Sequence, residues 1–475
     1  MNIAINKAKI IATYGPSIET REIIIKLIKS GVDVIRFNFS HGDHAFHKKG
    51  FELIRGLNKE FNLNIGILAD LQGPKIRIGE IAGEIFLEAN KMISITDEKK
   101  LSTAEELFVS YKNLHKDVSE GERILINDGN IELKVISMND NKVQAEIIYG
   151  GVLTSKKGVN LPDTDLTTPT LTEKDHKDLQ FVIEHEANWV ALSFVRKAAD
   201  IQEVIDIIGP EKHSYMKVIA KIEKPEALKN IDTIINQTDA IMIARGDLGV
   251  EIPAEQLPLW QKKIIKKCIQ KAKPVVVATQ MMESMILNPV ATRAEINDVA
   301  NAILDGADAV MLSGETSIGK HPIKVVQKMQ KILSNIEKEK FVYDKKLVAD
   351  KNSTTWVSDA ICFNACKIAK EIKAKAIIGM TKSGYTAFKL SSYRPKANIF
   401  IFTENIKLLP TLNLFWGIRA FHYNEFVGTN QTIDDVIQIL ADKELVKKGN
   451  LIVNTVTMPL SAHGRTNALK VSRVD

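Results

Sequence analysis

The chain has 475 residues, a length that suggests two to four domains. Its 64 basic and 58 acidic residues leave a net charge of +6, which argues against nucleic-acid binding as the main function and suits anionic metabolites better. We find no apolar run near the roughly 18 residues of a membrane span and no signal peptide, so we expect no membrane attachment. The 3 cysteines lack any disulfide framework or metal-binding spacing and indicate a reducing, cytoplasmic setting.

Apolar runs typical of buried strands alternate with helical runs, such as Glu22–Ser30 and Trp260–Lys271, through most of residues 1–340. Repeated β-α units favour a parallel sheet covered by helices, and eight of them favour a closed (β/α)8 TIM barrel. The predicted strands are Ala8–Tyr14, Val32–Phe39, Asn64–Leu71, Trp189–Val195, Met216–Ile222, Ala240–Arg245, Pro274–Gln280 and Ala307–Leu312.

The alternation stops at residues 74–168, which we interpret as a small all-β domain inserted between barrel segments 1–73 and 169–340. Its predicted strands are Ile76–Ile81, Glu84–Leu87, Met92–Ile95, Ile124–Ile126, Ile131–Ser137 and Val143–Tyr149. Residues 341–475 predict a C-terminal α/β domain with an open sheet. Its predicted elements are helix Trp356–Glu371, strands Ala376–Thr381 and Asn398–Phe402, helix Ile433–Ala441 and strand Asn450–Met458.

Polar side chains stand at or just beyond the end of nearly every predicted barrel strand. Functional groups of such barrels gather at the C-terminal ends of the strands, so this regular placement indicates one shared site. The residues are Thr13, Arg36, Asn38, Ser40, His41, Asp70, Ser193, Lys221, Glu223, Asp247, Thr279, Ser313 and Glu315.

Two carboxylates, Glu223 and Asp247, end neighbouring predicted strands, and Lys221 comes just before the first. Mg²⁺ usually takes one or two protein carboxylates and completes its shell with water and substrate oxygens. The pattern therefore favours a metal ion beside an oxyanionic substrate. The alternative is a pair of surface carboxylates stabilised by helix dipoles.

Other candidate residues have simpler explanations beside the functional one. The Gly246–Gly249 turn can present backbone N–H groups to an anion or can be a plain tight turn. Arg36 is either a site cation or half of a buried ion pair. Thr292 and Glu295 have the spacing of a helix-capping box, which makes Glu295 a poor candidate acid or base.

Three histidines, His41, His44 and His47, are spaced at three residues and raise the question of a zinc site. Their surroundings are expected to be exposed and basic, and no cysteine or further ligand is near in the sequence. Zinc binding is therefore the weaker interpretation.

Eight motifs together resemble those of the pyruvate kinase family, and the resemblance runs through the whole chain in that family's domain order. They are Ile10–Ser17, Arg36–Gly42, Asp70–Arg77, Lys156–Pro162, Lys221–Glu223, Ala244–Gly249, Ala278–Met281 and Met311–Thr316. The resemblance implies transfer of the phosphoryl group of phosphoenolpyruvate to ADP, giving pyruvate and ATP in the last step of glycolysis. Mg²⁺ is the implied cofactor, with Mn²⁺ as the alternative ion.

The resemblance also implies a role for each matching residue. Glu223 and Asp247 bind the divalent ion. The catalytic residues are Lys221, Arg36, Thr279 and Ser313, and the substrate contacts are Arg36, Lys221, Arg245, Gly246, Asp247 and Thr279. Bound ADP or ATP lies near Arg36, Asn38, His41, Arg77 and Lys157.

One departure from the family concerns its monovalent cation. Family members that require K⁺ usually carry Glu where this chain has Lys75, whereas the other positions of that site match. Those positions are Asn38, Ser40, Asp70 and the carbonyl of Leu71. An ammonium group can take the electrostatic role of K⁺, so we predict activity without K⁺. The alternative is that Lys75 merely points to solvent.

In the family, the loop between a C-domain strand and the next helix binds the phosphate of a sugar-phosphate effector. The matching residues are Thr381, Lys382, Ser383, Gly384 and Thr386. Tyr385 and the segment Met458–Asn467 depart from the pattern for fructose 1,6-bisphosphate, so another sugar phosphate, AMP or no effector remains open. The family also implies a homotetramer.

Two rival functions stay open at this point. A metal-dependent lyase or aldolase would explain Glu223 and Asp247 but not the inserted domain or Lys156 and Lys157. A catalytically silent effector-binding protein would retain the C-terminal domain, but every family catalytic position is intact here.

Overall fold

The computed structural model describes residues 4–139, 141–345, 353–425, 428–458 and 465–475. Its first segment contains three buried parallel strands, and the helices between them each bury one apolar side. These elements are β1 (Lys9–Thr13), α1 (Arg21–Lys29), β2 (Val34–Asn38), α2 (His44–Phe61) and β3 (Gly66–Asp70).

The inserted segment is rich in short strands. Its elements are β4 (Glu84–Leu87), β5 (Met92–Thr96), β6 (Glu106–Phe108), α3 (Leu114–Asp117), β7 (Arg123–Ile126), β8 (Ile131–Asn139), β9 (Lys142–Tyr149), β10 (Gly151–Thr154) and β11 (Val159–Asn160). A six-stranded sheet has the order β11-β7-β8-β9-β5-β6, and β10 pairs with β4. We call this segment the lid domain. The predicted strand Ile76–Ile81 is wrong, because those residues make only isolated bridges to three separate partners.

Regular β-α alternation resumes after the lid domain. The elements are α4 (Glu173–Glu184), β12 (Trp189–Leu192), α5 (Ala198–Ile208), α6 (Pro210–His213), β13 (Lys217–Ile222), α7 (Pro225–Lys229), α8 (Ile231–Gln237), β14 (Ala240–Ala244), α9 (Arg245–Glu251), α10 (Leu257–Gln270), β15 (Val275–Ala278), α11 (Arg293–Asp305), β16 (Ala309–Leu312), α12 (Gly314–Ser317) and α13 (Pro322–Ile336). Short 3₁₀ turns occur at Ala254–Gln256, Glu283–Ile286, Lys340–Val342 and Ile406–Leu408.

Eight parallel strands close into a barrel in the order β1-β2-β3-β12-β13-β14-β15-β16, with β16 pairing back to β1. This confirms the predicted TIM barrel and all eight of its strands. Parallel pairing in register brings the C-terminal ends of all strands to one rim, so polar residues distant in sequence become neighbours there. For example, Asn38 pairs with Asp70, and Lys221 pairs with Met242.

The C-terminal segment forms an α/β unit, as predicted, with a sheet of five strands where three were predicted. Its elements are α14 (Trp356–Glu371), β17 (Ala376–Met380), α15 (Tyr385–Ser392), β18 (Asn398–Thr403), α16 (Leu409–Leu412), β19 (Ile418–His422), α17 (Thr429–Asp442), β20 (Leu451–Val456) and β21 (Ala468–Arg473). The sheet order is β19-β18-β17-β20-β21, with β21 antiparallel at one edge.

The end of the barrel opposite the polar rim is closed by apolar packing against the C-terminal domain. Trp189 is fully buried, its ring lies 5.9 Å from that of Phe415, and its Nε1 donates to Thr411 O at 3.2 Å. A buried bidentate ion pair of Arg394 with Asp308, at 2.8 and 2.9 Å, joins the same two units. This packing fills one end of the barrel, which leaves the polar rim as its open end in the part of the chain that the structure describes. Among the described residues, no helix has both the length and the hydrophobicity needed to cross a lipid bilayer. The domain boundaries given above stay predictions.

Candidate active site

Lys221, near the end of β13, forms the centre of a buried network of charges at the barrel rim. Its ammonium donates to Ser193 Oγ at 2.7 Å and to Asp70 Oδ1 at 3.1 Å, and it lies 3.1 Å from Glu223 Oε1. The backbone N–H of Phe194 donates to the other oxygen of Glu223 at 2.8 Å. Three neighbouring strand ends, β3, β12 and β13, thus hold one cation and two carboxylates in fixed positions.

The charges in this network depend on one another. Burial disfavours the charged form of Lys221, but the carboxylates of Asp70 and Glu223 outweigh burial and raise the pKa of Lys221. Burial alone would raise the pKa of Asp70. The positive charges of Lys221 and Arg36 outweigh burial and lower the pKa of Asp70. Burial raises the pKa of Glu223; Lys221 opposes this shift and the negative charge of Asp247 adds to it. The network therefore keeps Lys221 cationic in a largely dry site.

Arg36 of β2 extends the network. Its Nε donates to Asp70 Oδ2 at 2.6 Å and its guanidinium donates to Thr13 Oγ1 at 3.0 Å, and the residue is buried. The buried ion pair considered as the alternative for Arg36 is thus present. It lies within the same charge network as Lys221, because both cations share Asp70 as a partner. The geometry is compatible with either interpretation of Arg36.

Asp247 lies in the first turn of α9, at the end of the strand next to that of Glu223. Its Oδ1 accepts a hydrogen bond from the Lys75 ammonium at 3.0 Å. The donor set suits a hard divalent ion, because Glu223 and Asp247 are both oxygen donors and Asp247 remains partly exposed at 26% of its side chain. Among the described residues no group of three or more His, Cys, Asp or Glu side chains could hold a metal ion, so water and substrate oxygens would complete the shell.

Lys75 does not point freely to solvent, which corrects the alternative given for it. The Lys75 ammonium forms an ion pair with Asp247. Within the described part of the chain, it makes no hydrogen bond to the residues of the predicted monovalent-cation site. Within that group, Asn38 Oδ1 accepts from Ser40 N at 3.1 Å, and the Leu71 carbonyl accepts from Ser193 Oγ at 2.7 Å. The prediction of activity without K⁺ stays a prediction.

Thr279 and Gly246 meet at the mouth of the barrel. The backbone N–H of Gly246 donates to Thr279 Oγ1 at 2.7 Å, and Arg245 donates to the Thr279 carbonyl at 2.8 Å and to Asp298 at 2.7 Å. Thr279 has a φ of +65°, and Gln280 has a φ of +55°. A positive φ is unusual for a β-branched residue, and such strain is concentrated at functional sites. The surrounding contacts of Arg245 hold Thr279 in this conformation.

The remaining predicted site residues belong to the barrel and to the lid domain. Burial lowers the pKa of His41, and the positive charges of Arg77 and Arg36 lower it further, so these three nucleotide candidates are electrostatic neighbours. Arg77 donates to the Lys156 carbonyl at 3.1 Å, next to Lys157 in the lid domain. The Ser313 backbone N–H donates to Glu315 Oε2 at 2.7 Å, which gives the buried Glu315 a structural role.

The histidine interpretation needs a correction. His47 is buried and not exposed: its ring stacks on Phe39 at 4.3 Å and its Nε2 bonds the His41 carbonyl at 3.0 Å. His44 instead bonds Asp178 at 2.8 Å. The three side chains do not converge on a metal among the described residues. The capping box is confirmed, since the Thr292 side chain accepts from Glu295 N and Glu295 bonds back to the Thr292 backbone.

The predicted effector loop precedes α15. Thr381 Oγ1 accepts from Gly384 N at 2.9 Å, and Gly384 has a φ of +89° that favours glycine at this turn. Lys382 forms an ion pair with Glu404 at 3.0 Å, and Thr386 bonds Thr466 at 2.8 Å. Residues 459–464 of the segment Met458–Asn467 lie outside the described residues.

Sequence reasoning noted Ser193 at a strand end but gave it no role, and it did not consider Phe194 or the partners of the lid domain. The hydroxyl of Ser193 bonds both Lys221 and the Leu71 carbonyl. A polar residue at the end of a buried apolar run is a sequence signal that could have assigned Ser193 a role in the site. Phe194 contributes only through its backbone N–H, which no side-chain pattern could reveal.

Comparisons with known proteins agree with this geometry. Residues 5–326 match a family model described as "Pyruvate kinase, barrel domain", and residues 359–472 match one described as "Pyruvate kinase, alpha/beta domain". The chain is 40% identical to pyruvate kinase of Clostridium acetobutylicum over 99% of this chain and 100% of that protein. It is also 40% identical to pyruvate kinase 2 of Synechocystis sp. over 98% of this chain and 79% of that protein.

A solved structure gives the same result. The crystal structure of a pyruvate kinase from Cryptosporidium parvum superposes with a TM-score of 0.90 at 34% identity, covering 99% of this chain and 96% of that one. Both the sequence and the fold therefore place the described barrel, lid domain and C-terminal domain in one family. The chain belongs to the pyruvate kinase family.

Proposed function

We propose that Lys221, Arg36, Glu223 and Asp247 form the centre at which this chain performs its family's reaction. The chain is a phosphotransferase that converts phosphoenolpyruvate and ADP into pyruvate and ATP, and the family depends on a divalent metal ion. The observation that carries the assignment of residues is the position of Lys221, which bonds Asp70 and Ser193 and touches Glu223 at the rim of the barrel.

Lys221 and Arg36 act as fixed cations. Phosphoryl transfer demands little covalent chemistry from the protein, so positioning and charge neutralisation lower the barrier. Both cations are held by Asp70, and they need little reorganisation when negative charge develops on the moving phosphoryl group. Lys221 also offsets the charge on the enolate oxygen that the reaction leaves behind.

Glu223 and Asp247 hold the divalent ion, for which Mg²⁺ is the first choice and Mn²⁺ the alternative. Such an ion, when bound, neutralises oxygens of the phosphoryl group and of the enolate as a Lewis acid. The negative charge of Asp247 adds to the raised pKa of Glu223, so a cation between the two carboxylates would stabilise the ionised Glu223, which supports their role as a pair.

Thr279 and the turn at Arg245–Asp247 hold the carboxylate of phosphoenolpyruvate. The Gly246 N–H now donates to Thr279 Oγ1. The Thr279 hydroxyl itself donates to the Ala278 carbonyl at 2.6 Å. A bound carboxylate oxygen would replace Thr279 Oγ1 as the acceptor of the Gly246 N–H and could in turn accept from the Thr279 hydroxyl. Proton delivery to the enolate then comes from the Thr279 side of the site, through a network that contains Ser313.

ADP binds between the barrel and the lid domain, near Arg36, Asn38, His41, Arg77 and Lys157. Closure of the lid domain excludes water, so that the phosphoryl group passes to ADP and is not hydrolysed. The positive charges of Arg77 and Arg36 lie close enough to lower the pKa of His41, and two cations beside this residue support a polyanion site at this position.

Three finer properties follow as proposals from the family. Lys75 replaces the monovalent cation, and the enzyme works without K⁺. The loop from Thr381 to Thr386 binds a sugar phosphate or AMP. If so, the initial rate should change with the concentration of the bound effector and then level off. The chain assembles as a cytoplasmic homotetramer, which light scattering on the purified protein would measure.

A lactate-dehydrogenase-coupled assay with phosphoenolpyruvate, ADP and Mg²⁺ tests the proposed function. We expect NADH oxidation that requires both substrates and the metal ion. An aldolase or lyase would consume phosphoenolpyruvate or pyruvate without any need for ADP, and a silent effector-binding protein would give no turnover at all.

A further inference from the structure

Helix α9 contacts the lid domain with one face. Its first turn contains Asp247, which pairs with Lys75 on the chain segment that enters the lid domain. One turn later, Glu251 accepts a hydrogen bond from Asn160 Nδ2 at 2.7 Å, on the segment that leaves it. Positions 247 and 251 are i and i+4 on a helix and so share a face. The same short helix thus bonds both chain segments that connect the barrel to the lid domain.

A third part of the lid domain lies close to the same helix. A Cβ atom built on Gly129, in the turn between β7 and β8 of the lid domain, would lie 3.6 Å from Cγ1 of Val250. Gly129 has a φ of +81°, so the turn itself favours glycine and its close approach to α9 is built into the backbone. The turn between β7 and β8 thus lies close to α9, in addition to the hydrogen bonds that Lys75 and Asn160 make to this helix.

Glu251 is held more firmly than a surface contact would be. Its Oε1 accepts from Lys224 Nζ at 2.7 Å as well as from Asn160, and Glu251, Lys224 and Asn160 are 3%, 5% and 7% exposed. Lys224 directly follows Glu223, so the cluster joins α9, the end of β13 and the lid domain. We call these three residues the hinge cluster.

The second carboxylate oxygen of Glu251 has no hydrogen-bond partner among the described residues. The hinge cluster lines a cavity of about 20 Å³, which is room for about one water molecule. One water molecule in that cavity would satisfy this oxygen without fixing the distance between α9 and the lid domain.

We propose that Glu251 is a positioning residue that, through Asn160, couples the position of the lid domain to helix α9 and hence to Gly246 and Asp247. This inference rests on the proposed function, in which Asp247 holds the metal ion and the lid domain closes over ADP. When the metal ion replaces Lys75 at Asp247, one contact between α9 and the lid domain is lost. The Asn160–Glu251 bond remains as the pivot.

The test removes this bond with Asn160→Ala, which leaves the Lys224–Glu251 ion pair in place. The matched control is Asn188→Ala, because Asn188 is 9% exposed and accepts one backbone bond, from Ile67 N at 2.8 Å, away from α9 and the lid domain. Asn160→Asp is the second variant; it keeps the shape but sets a second carboxylate against Glu251.

Hydrogen exchange of metal-free protein provides the first measurement. We expect exchange in the peptide spanning 245–251 to rise about fivefold in Asn160→Ala, the scale of losing one buried hydrogen bond, and to be unchanged in Asn188→Ala. Binding of Mn²⁺ to the free enzyme, followed by electron paramagnetic resonance, should weaken by roughly the same factor. Asn160→Asp should produce larger changes in the same direction.

If Asn160 only stabilises the lid domain, exchange will rise in lid peptides alone and Mn²⁺ affinity will not change, and the inference is then wrong. Failure of the proposed function looks different. In that case the wild-type chain itself has no turnover in the coupled assay, or its Mn²⁺ binding is unaffected by Asp247→Asn.

Discussion

Lys75 Nζ lies 3.0 Å from Asp247 Oδ1, which joins the start of the lid domain to the helix that carries a proposed metal ligand. The two residues are far apart in sequence, and neither side chain is fully buried. An ammonium and a divalent ion compete for the same carboxylate oxygen, so binding of the metal ion must change the position of Lys75. The residue that departs most clearly from the family pattern thus lies beside the proposed metal site.

The first prediction concerns K⁺. In buffers that contain only tetramethylammonium as the monovalent cation, the wild-type enzyme should be active because Lys75 supplies the positive charge. Lys75→Glu should become dependent on K⁺, with stimulation of roughly tenfold or more, since a carboxylate restores the need for a cation. A near-zero wild-type rate that K⁺ restores would overturn the prediction.

Lys221→Met should lower kcat by about 10³ or more, the scale of losing a cation on a transferring phosphoryl group. The coupled assay measures this directly. Lys217→Met is the matched control, because Lys217 starts the same strand and pairs with Asp239 at the other end of the barrel. A loss of less than tenfold in Lys221→Met would show that Lys221 is peripheral.

Thr279→Val should be both less stable and less active. Valine keeps the β-branched shape and the positive φ but removes the acceptor of the Gly246 N–H, which costs about 1–3 kcal/mol when no other partner is found. Thr279→Ser retains the hydroxyl and should recover most of the loss in both properties. Urea unfolding and the coupled assay measure the two effects; equal behaviour of the two variants would argue against a role for the hydroxyl.

Arg394→Met should destabilise the contact between barrel and C-terminal domain. Removing one partner of a buried ion pair leaves the other charge uncompensated, at a cost of about 3–5 kcal/mol, here at Asp308. Lys396→Met, at an exposed neighbouring position, is the control and should unfold like the wild type in urea. Unfolding of Arg394→Met at the wild-type urea concentration would mean that the ion pair contributes little.

The cysteines should be inert near neutral pH. All three are free and buried, and burial raises the pKa of Cys362 to about 12, with Asp359 adding to the shift. Because the thiolate is the nucleophile, native protein at pH 8 should react with a thiol reagent far more slowly than unfolded protein. A raised folded pKa also means that this contribution to stability is present below pH 9 and is lost as the pH rises toward 12. Rapid labelling of native protein at pH 8 would contradict this account.

The barrel could be predicted from sequence because its strands are short buried runs, and burial leaves a strong pattern. The lid domain was predicted less well: β6, β10 and β11 were missed, and β19 and β21 were missed in the C-terminal domain. These strands are two to six residues long, and all except β11 are partly exposed, so they leave only a weak periodic pattern in the sequence. His47 was placed wrongly because its burial depends on Phe39 from a neighbouring strand end. The partners of Lys75 and Glu251 cross between domains, and no local pattern in the sequence reveals them.

The central claim is that Glu223 and Asp247 together hold one divalent ion next to Lys221. A crystal structure with Mn²⁺ and oxalate, using the anomalous signal of manganese, tests it most directly. We predict a single manganese peak bound by both carboxylates, with oxalate oxygens in its shell and Lys75 withdrawn from Asp247. A peak elsewhere, with Glu223 and Asp247 apart and without metal, would contradict the account.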